Sequence, residues 1–338
     1  MALGPATVVF ALCAAVIGVV GTRLARVVDA LADRTGIGEA VAGAVLLGLA
    51  TSLSGSVLSV SAAWSGNAEL ALSNAVGGIA VQTLFLAVAD VTYRRANLEH
   101  AAASLGNMMQ AALLVSQMSL LMIAFVMPEW TIAHVHVVTP ALLGSYVYSV
   151  RLVRTTQSRP MWAPSRTAET KQDVPEEENA TLSLRRLLGS FAVLAVTIAL
   201  AGWTLEKSAT VIAEDTGMGH AVVGSLFTAT ATSLPELVTT LSAVRSGALT
   251  LAVAGIIGGN AFDTLFAAFS DIAYREGSVY HAVSSPVVFW TALGTLMTGF
   301  LLMGLIRREE RGPGRIGFES VALFGFYALG VVVVLTAG

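Results

Sequence analysis

The sequence predicts an all-α membrane protein with ten transmembrane helices in two inverted five-helix repeats. Three observations carry this. Hydrophobic residues make up 55% of the 338 and charged residues 12%, with mean hydropathy +0.75; soluble domains run near 25% charged. Ten apolar runs approach the roughly 20 residues that a bilayer requires. The second half of the chain also repeats the first.

The same composition excludes other classes. A single cysteine, Cys13, rules out a disulfide framework and a cysteine-based zinc site; it is expected as a small apolar residue. A net charge of −3 and a pI near 6.0 give no basic footprint for nucleic acid. The chain holds 32 glycines against 9 prolines, so many glycines must lie inside apolar runs. In membrane helices they permit close helix contact.

The elements follow in order. The first run, 3–22, has no basic n-region and no A-x-A site after it, and is expected as a retained span rather than a cleaved signal. Further spans are expected at about 39–64, 70–93, 104–126 and 131–153, completing a first half of residues 1–153. Residues 154–185 form a charged linker. It carries Pro160, Pro164, Pro175 and the run Glu176-Glu177-Glu178, and is too polar to enter the bilayer. The second half, 186–338, is expected to span at about 186–207, 219–244, 249–273, 284–306 and 317–337.

Orientation follows from the basic residues, which concentrate on cytoplasmic loops. Ten spans place only Lys207 and Arg275 on the side of the termini. The other seventeen of the 19 basic residues fall on the opposite side. The linker is therefore expected in the cytoplasm of a bacterial cell and both termini outside its inner membrane. The glycosylation acceptor Asn179-Ala180-Thr181 carries no weight on that face.

A shift of 181 residues aligns Gly48–Arg94 with Ala229–Arg275 without a gap, and 21 of the 47 positions are identical. The repeats extend over about 42–95 and 223–276. Matches include polar residues in register: Thr51-Ser52 with Thr232-Ser233, Thr83 with Thr264, and Asp90 with Asp271. Five spans per half is odd, so the second half enters from the opposite face. Inverted repeats are a transporter architecture, with substrate held near the midplane at interrupted helices.

Interruptions are expected at Thr51-Ser52-Leu53-Ser54-Gly55 and at Thr232-Ser233-Leu234-Pro235-Glu236. Pro235 has no N–H to return to the carbonyl of Ala231. Glu236 lies four residues after Thr232, on one face, and Asp263 lies within the eighth span. Carboxylates at membrane depth point to function by default. With hydroxyls and freed carbonyls they form a hard-oxygen site for Ca²⁺, Na⁺ or a proton. The cation-binding candidates are Glu236, Asp263, Thr232, Ser233, Thr51 and Ser52. Outer candidates are Asn74, Gln82, Asn260 and Ser54. The hydroxyls could instead bond back to their own helices. Asp90 and Asp271 stand near span ends, where capping or an interfacial ion pair is expected. The pair His134 and His136 is weak evidence for a metal.

The stretch Thr232-Ser233-Leu234-Pro235-Glu236-Leu237-Val238, followed by Gly258-Gly259-Asn260-Ala261-Phe262-Asp263, resembles the second α-repeat of the Ca²⁺/cation antiporter superfamily, with sodium/calcium exchangers the nearest look. The resemblance covers essentially the whole chain. It implies the sodium/calcium exchanger fold, extracellular termini, and ligand roles for Thr232, Ser233, Glu236 and Asp263, with Thr51 and Ser52 matching in the first half. There the sequence departs from the family pattern. Gly55 stands at the second acidic position, Ser54 at its proline and Gln82 at its final Asn/Asp. Gly78 and Gly259 replace family serines. Asn74 keeps the family asparagine, which Gly255 replaces in the second repeat.

One glutamate therefore remains where the family has two. Glu236 and Asp263 could still offer two charges to one Ca²⁺. Repulsion between them favours a proton on one until a divalent ion arrives, which suits proton coupling or a monovalent substrate. The expected function is secondary antiport of Ca²⁺ for Na⁺ or H⁺ by alternating access, with the first and sixth spans moving against the site-bearing spans. Alternatives are a monovalent cation/proton (Na⁺/H⁺) exchanger and a degenerate homologue that does not transport. No enzyme motif and no Walker motif appear, so no cofactor is expected. The expected partners are inorganic cations and the lipid bilayer. The linker is too short for a folded Ca²⁺-sensing domain.

Overall fold

A computed structural model describes residues 3–158, 160–171, 179, 181–214, 223–312, 314 and 316–337. The chain runs α1 (Leu3–Thr35), α2 (Glu39–Trp64), α3 (Ala68–Thr92), a short α4 (Leu98–Ala101), α5 (Leu105–Val126), and α6 (Val138–Ser158). It resumes with α7 (Leu184–Glu214), a π-helical turn Val223–Thr228, α8 (Ala229–Thr232), α9 (Leu234–Ser246), α10 (Leu249–Ala273), α11 (Ser285–Arg307) and α12 (Phe318–Ala337). Local chemistry sets several starts. The Asn67 side chain accepts from Leu70 N at 3.1 Å and Ser104 from Asn107 N at 3.0 Å, satisfying orphan donors of the first turn. Gly66 and Gly247, mates under the 181-residue shift, take φ +80° and +90° after α2 and α9, a conformation that costs glycine nothing.

Among the described residues, eight helices are long and apolar enough to cross a membrane: α1, α2, α3, α5, α7, α10, α11 and α12. The other two expected spans differ for visible reasons. The fifth starts at Val138, not at 131. Residues 131–136 instead form a small hairpin, β1 (Thr131–Ile132) and β2 (Val135–His136). Its turn residues Ala133 and His134 both have positive φ, the geometry that matches strand twist. The helix that follows carries Arg151 and Arg154 in its second half. The seventh span is divided between the π turn, α8 and α9, and its expected start at 219–222 lies outside the described residues. Pro175, the Glu176–Glu178 run, Arg159, Arg315 and Ala180 also lie outside them.

The first expected interruption is corrected. α2 continues as regular helix through Thr51–Gly55, and its irregularity comes earlier, as a π-helical turn at Gly43–Leu47. Ser54 retains an N–H where Pro235 has none, so nothing forces a break there. The second interruption stands: Ser233 separates α8 from α9 with φ −89° and ψ 0°.

α10 and α3 are buried along most of their length, whereas α1 and α7 are mostly exposed at the periphery. Close approach at the centre requires glycine. A Cβ on Gly258 would meet Ala44 Cα at 2.1 Å, and one on Gly77 would meet Ser225 Cα at 2.6 Å. These contacts are mates under the repeat shift, and they clamp each π turn onto the central helix of the other half.

Two carboxylates tie the ends of the bundle. Asp90 accepts from Leu98 N at 2.7 Å, Gly317 N at 2.9 Å and Ser320 Oγ at 2.8 Å. Asp271 accepts from Val279 N at 3.1 Å, His136 N at 2.7 Å and Thr139 Oγ1 at 2.6 Å. The donors correspond one to one under the same shift. Each aspartate caps the turn that follows its own helix and the entry to the last span of the opposite half.

Candidate functional site

The site forms where α2 and the α8–α9 break face the middles of α3 and α10. Ser233 is freed from regular helix by the break and lies opposite α3. There the Gln82 amide Nε2 donates to Ser233 Oγ at 3.2 Å and to Asp263 Oδ2 at 2.7 Å. Gln82 and Asp263 are themselves mates under the 181-residue shift, so this bond crosses the pseudo-two-fold axis. Glu236, in the first turn of α9, accepts from Ser52 Oγ of α2 at 3.5 Å. Four elements thus bring Ser52, Gln82, Ser233, Glu236 and Asp263 together, all buried.

Three oxygens in this group have no hydrogen-bond partner: Glu236 Oε2, Asp263 Oδ1 and Gln82 Oε1. No Lys or Arg pairs with either carboxylate among the described residues. Burying an ion without compensation costs several kcal/mol. Buried acceptors without donors cost about 1–3 kcal/mol each. A hard cation satisfies both needs at once. Gly78 and Gly259 leave the surrounding wall open. A Cβ at Gly78 would stand 3.5 Å from Asp263 Oδ2, and one at Gly259 would stand 3.4 Å from Gln82 Oε1 and 3.9 Å from Ser52 Oγ.

Of the remaining candidates, Thr51 stands beside the Glu236 carboxylate and the others lie further out. Thr51 donates to its own helix, to Leu47 O at 2.9 Å and Gly48 O at 3.2 Å. Thr232 donates to Ala229 O at 3.2 Å and approaches Asn74 Oδ1 at 3.4 Å. Asn74 donates to Ser59 Oγ at 3.0 Å and Gly55 O at 3.3 Å, bracing α2 against α3. Asn260 donates to Thr83 Oγ1 at 2.9 Å, a contact between α10 and α3. Ser54 lies against Gly202 of α7. At Gly55, a Cβ would come within 2.8 Å of the Phe266 ring, so an aromatic edge occupies the place opposite Glu236 in the repeat.

Asp90 and Asp271 are caps, as described above. His134 Nε2 meets Ile272 O at 3.2 Å, and His136 Nε2 meets Pro128 O at 3.4 Å. No His, Cys, Asp and Glu cluster of three suited to a metal occurs among the described residues. The π turns and Phe266 were not singled out by the sequence. The shift that pairs Gly43–Leu47 with 224–228 carries a signal for the former only once the helix geometry is known.

The fold and the site together define an inverted-repeat membrane antiporter for cations. The chain belongs to the sodium/calcium exchanger protein family, whose model matches residues 5–153 and 186–336. It is similar in fold to structures of the sodium-calcium exchanger NCX_Mj. One, soaked with 10 mM Na⁺ and 10 mM Sr²⁺, gives a TM-score of 0.73 at 14% identity over 98% of this chain and 99% of that one. Another, soaked with 10 mM Na⁺ and zero Ca²⁺, gives 0.68 at 15% identity over the same shares.

Proposed function

We infer that the chain exchanges Ca²⁺ for Na⁺ or H⁺ by alternating access, through the pocket of Ser52, Gln82, Ser233, Glu236 and Asp263. The observation that supports this is the three partnerless oxygens, Glu236 Oε2, Asp263 Oδ1 and Gln82 Oε1. Two of them belong to carboxylates without a cationic side chain. Hydroxyl, amide and carboxylate oxygens suit hard cations. Thr51 stands with Ser52 at the Glu236 carboxylate, and Thr232, Asn74, Asn260 and Ser54 position the helices around these ligands. The basic face, which carries the linker, is the cytoplasmic one in this reading.

A second reading has a specific observation in its favour. Phe266 fills the place beside Gly55, so the pocket has carboxylates from the second half alone. Fewer charged ligands weaken divalent binding more than monovalent binding. On this reading the chain exchanges Na⁺ for H⁺.

Purified protein in sealed liposomes separates the two. Radioactive Ca²⁺ uptake is followed under an outward Na⁺ gradient and then under an outward H⁺ gradient. Uptake that follows one gradient and vanishes in Glu236→Gln supports Ca²⁺ exchange and names the counter-ion. A folded protein with no Ca²⁺ uptake under either gradient, but with Na⁺-driven acidification or alkalinisation of the lumen, supports monovalent exchange.

A further inference from the structure

The end of the bundle that carries the basic loops holds a second group of buried carboxyls. It becomes visible through the symmetry of the Asp90 and Asp271 caps. At the opposite end, beside Asp271, the Tyr280 hydroxyl meets Thr139 Oγ1 at 2.9 Å. The mate of Tyr280 under the 181-residue shift is Glu99, on α4. A neutral phenol at one end is thus replaced by a carboxyl at the other. Glu99 is 1% exposed, and neither of its oxygens has a hydrogen-bond donor. Glu319, in the first turn of α12, is brought to it by Asp90, which accepts from Leu98 N beside Glu99 and from Gly317 N and Ser320 Oγ on either side of Glu319. Glu319 is also 1% exposed, and its Oε2 is partnerless. Asp90 stands beside both.

Among the described residues, no Lys or Arg pairs with Glu99 or Glu319; Arg94, Arg95 and Lys171, the basic residues flanking α4, are exposed. Glu309, in the loop before α12, adds a further negative charge near Glu319, and its own ion pair is with Arg307 at 3.5 Å. Both terminal nitrogens of Arg308 are engaged elsewhere, while its Nε is buried without a partner. Its guanidinium donates to Ser165 O, to Thr170 Oγ1 at 2.8 Å and to His100 O at 3.2 Å. The His100 ring nitrogens are taken by Arg308 O and Thr167 Oγ1. α10 and α11 also pack on α4. Of their charged groups, Asp263 lies in the central pocket, Asp271 at the far end, and Arg307 on Glu309. Two facing carboxylates have only acceptors to offer each other, so neither can satisfy the other while both are ionised.

We propose that Glu99 and Glu319 bind one proton between them, giving the basic end of the bundle a proton-binding site separate from the pocket at Glu236 and Asp263. The proton turns two facing acceptors into a donor–acceptor pair. Asp90 is then left as the one full charge at the joint besides the shared one, and its three donors already compensate it. Burial first, then the charges of Asp90 and Glu319, hold the Glu99 carboxyl well above the usual carboxylate range. A group raised in the folded state stabilises the fold fully below its unfolded value, near 4.3 for Glu. That contribution is lost as pH rises through the folded value. Loss of the proton places uncompensated negative charge where α3, α4 and α12 meet, which loosens that joint.

The test is the unfolding temperature of the full-length protein in detergent, with chelator, from about pH 5 to about pH 9, the span in which a carboxyl raised by burial titrates. The wild type is expected to lose several degrees more than Glu99→Gln across this range. Gln keeps a donor toward Glu319 and does not titrate. Equal losses in the two proteins overturn the proposal. So does a wild type whose alkaline loss is reversed by Ca²⁺ or Na⁺ while Glu99→Gln is unmoved, since the occupant is then a metal cation. If Glu99→Gln does not fold, Glu319→Gln takes its place. Infrared spectroscopy of a Glu236→Gln/Asp263→Asn background gives a readout that needs neither variant. A protonated-carboxyl band present at neutral pH and lost on alkalinisation is expected, and its absence at neutral pH overturns the proposal.

Discussion

Gly55 is where the two halves of the proposed pocket differ in charge. Its mate Glu236 supplies a carboxylate, whereas at Gly55 the Phe266 ring takes the space. A glutamate placed there alone meets an aromatic edge at 2.8 Å from its Cβ. Overpacking of that kind costs about 1–3 kcal/mol. Gly55→Glu alone is therefore expected to lower the unfolding temperature without raising Ca²⁺ affinity. Gly55→Glu with Phe266→Ala removes the ring and admits the carboxylate. The double variant is expected to bind Ca²⁺ at least about tenfold more tightly than the parent, a gain of about 1.4 kcal/mol. Calorimetric Ca²⁺ titration of the three proteins checks this. A single variant that already binds as tightly as the double one would show that Phe266 does not exclude the second carboxylate.

At the scale of elements, the caps carry the clearest prediction. Asp271 satisfies two backbone donors and one hydroxyl from two separate segments. Removing its carboxyl leaves the N–H groups of Val279 and His136 without that acceptor. Each buried donor left unsatisfied costs about 1–3 kcal/mol. Asp271→Ala is expected to unfold several degrees earlier, and Asp90→Ala by less, because it loses corresponding donors but also removes the charge beside Glu99 and Glu319. Thermal unfolding of both in detergent checks it; an Asp90→Ala loss as large as that of Asp271→Ala would deny the difference. Much of this level was legible in the sequence. Long apolar runs located most helices, because bilayer thickness sets their length. Polar matches at one shift exposed the duplication, because apolar composition alone cannot place Thr, Asp and Arg in register. Pro235 located the break in the second half, because it lacks the N–H that regular helix uses. The first half carried no such covalent signal, and its π turn at Gly43–Leu47 depends on packing against Ala254 and Gly258 in α10. The pairing of Gln82 with Asp263 was likewise hidden. The two are 181 residues apart, and only folding about the axis brings them to 2.7 Å. Glu99 was hidden for a different reason: in sequence it lies in a short polar loop, where a glutamate is ordinarily solvated.

The whole molecule is built of parts with unequal attachment. The central helices α2, α3 and α10 are clamped by glycine contacts, backbone against backbone or small side chain. α1 and α7 lie outside them; Leu24, Val28, Ala195 and Ile198 join the main core, and two smaller clusters lie beside it. One joins Ile17 and Leu205 to Ala231, and another joins Ala30 and Leu31 to Leu187. The proposed alternating access asks one part to move while the site-bearing part stays fixed, and on that proposal α1 with α7 is the moving part. The contact between Gly21 of α1 and Val238 of α9 offers a lock. A Cβ at Gly21 would stand 3.5 Å from Val238 Cβ, within the range that a disulfide spans. With Cys13→Ala removing the native thiol, Gly21→Cys with Val238→Cys should close a bond under oxidation and fix α1 on α9. Exchange in liposomes is expected to fall at least about tenfold when the bond forms, the loss expected of a blocked conformational step, and to recover on reduction. Cation binding in the locked state should persist, because neither position touches Ser52, Gln82, Ser233, Glu236 or Asp263. Exchange that continues at the same rate with the bond closed would show that α1 and α9 move together, and the sliding part would have to be sought elsewhere in the bundle.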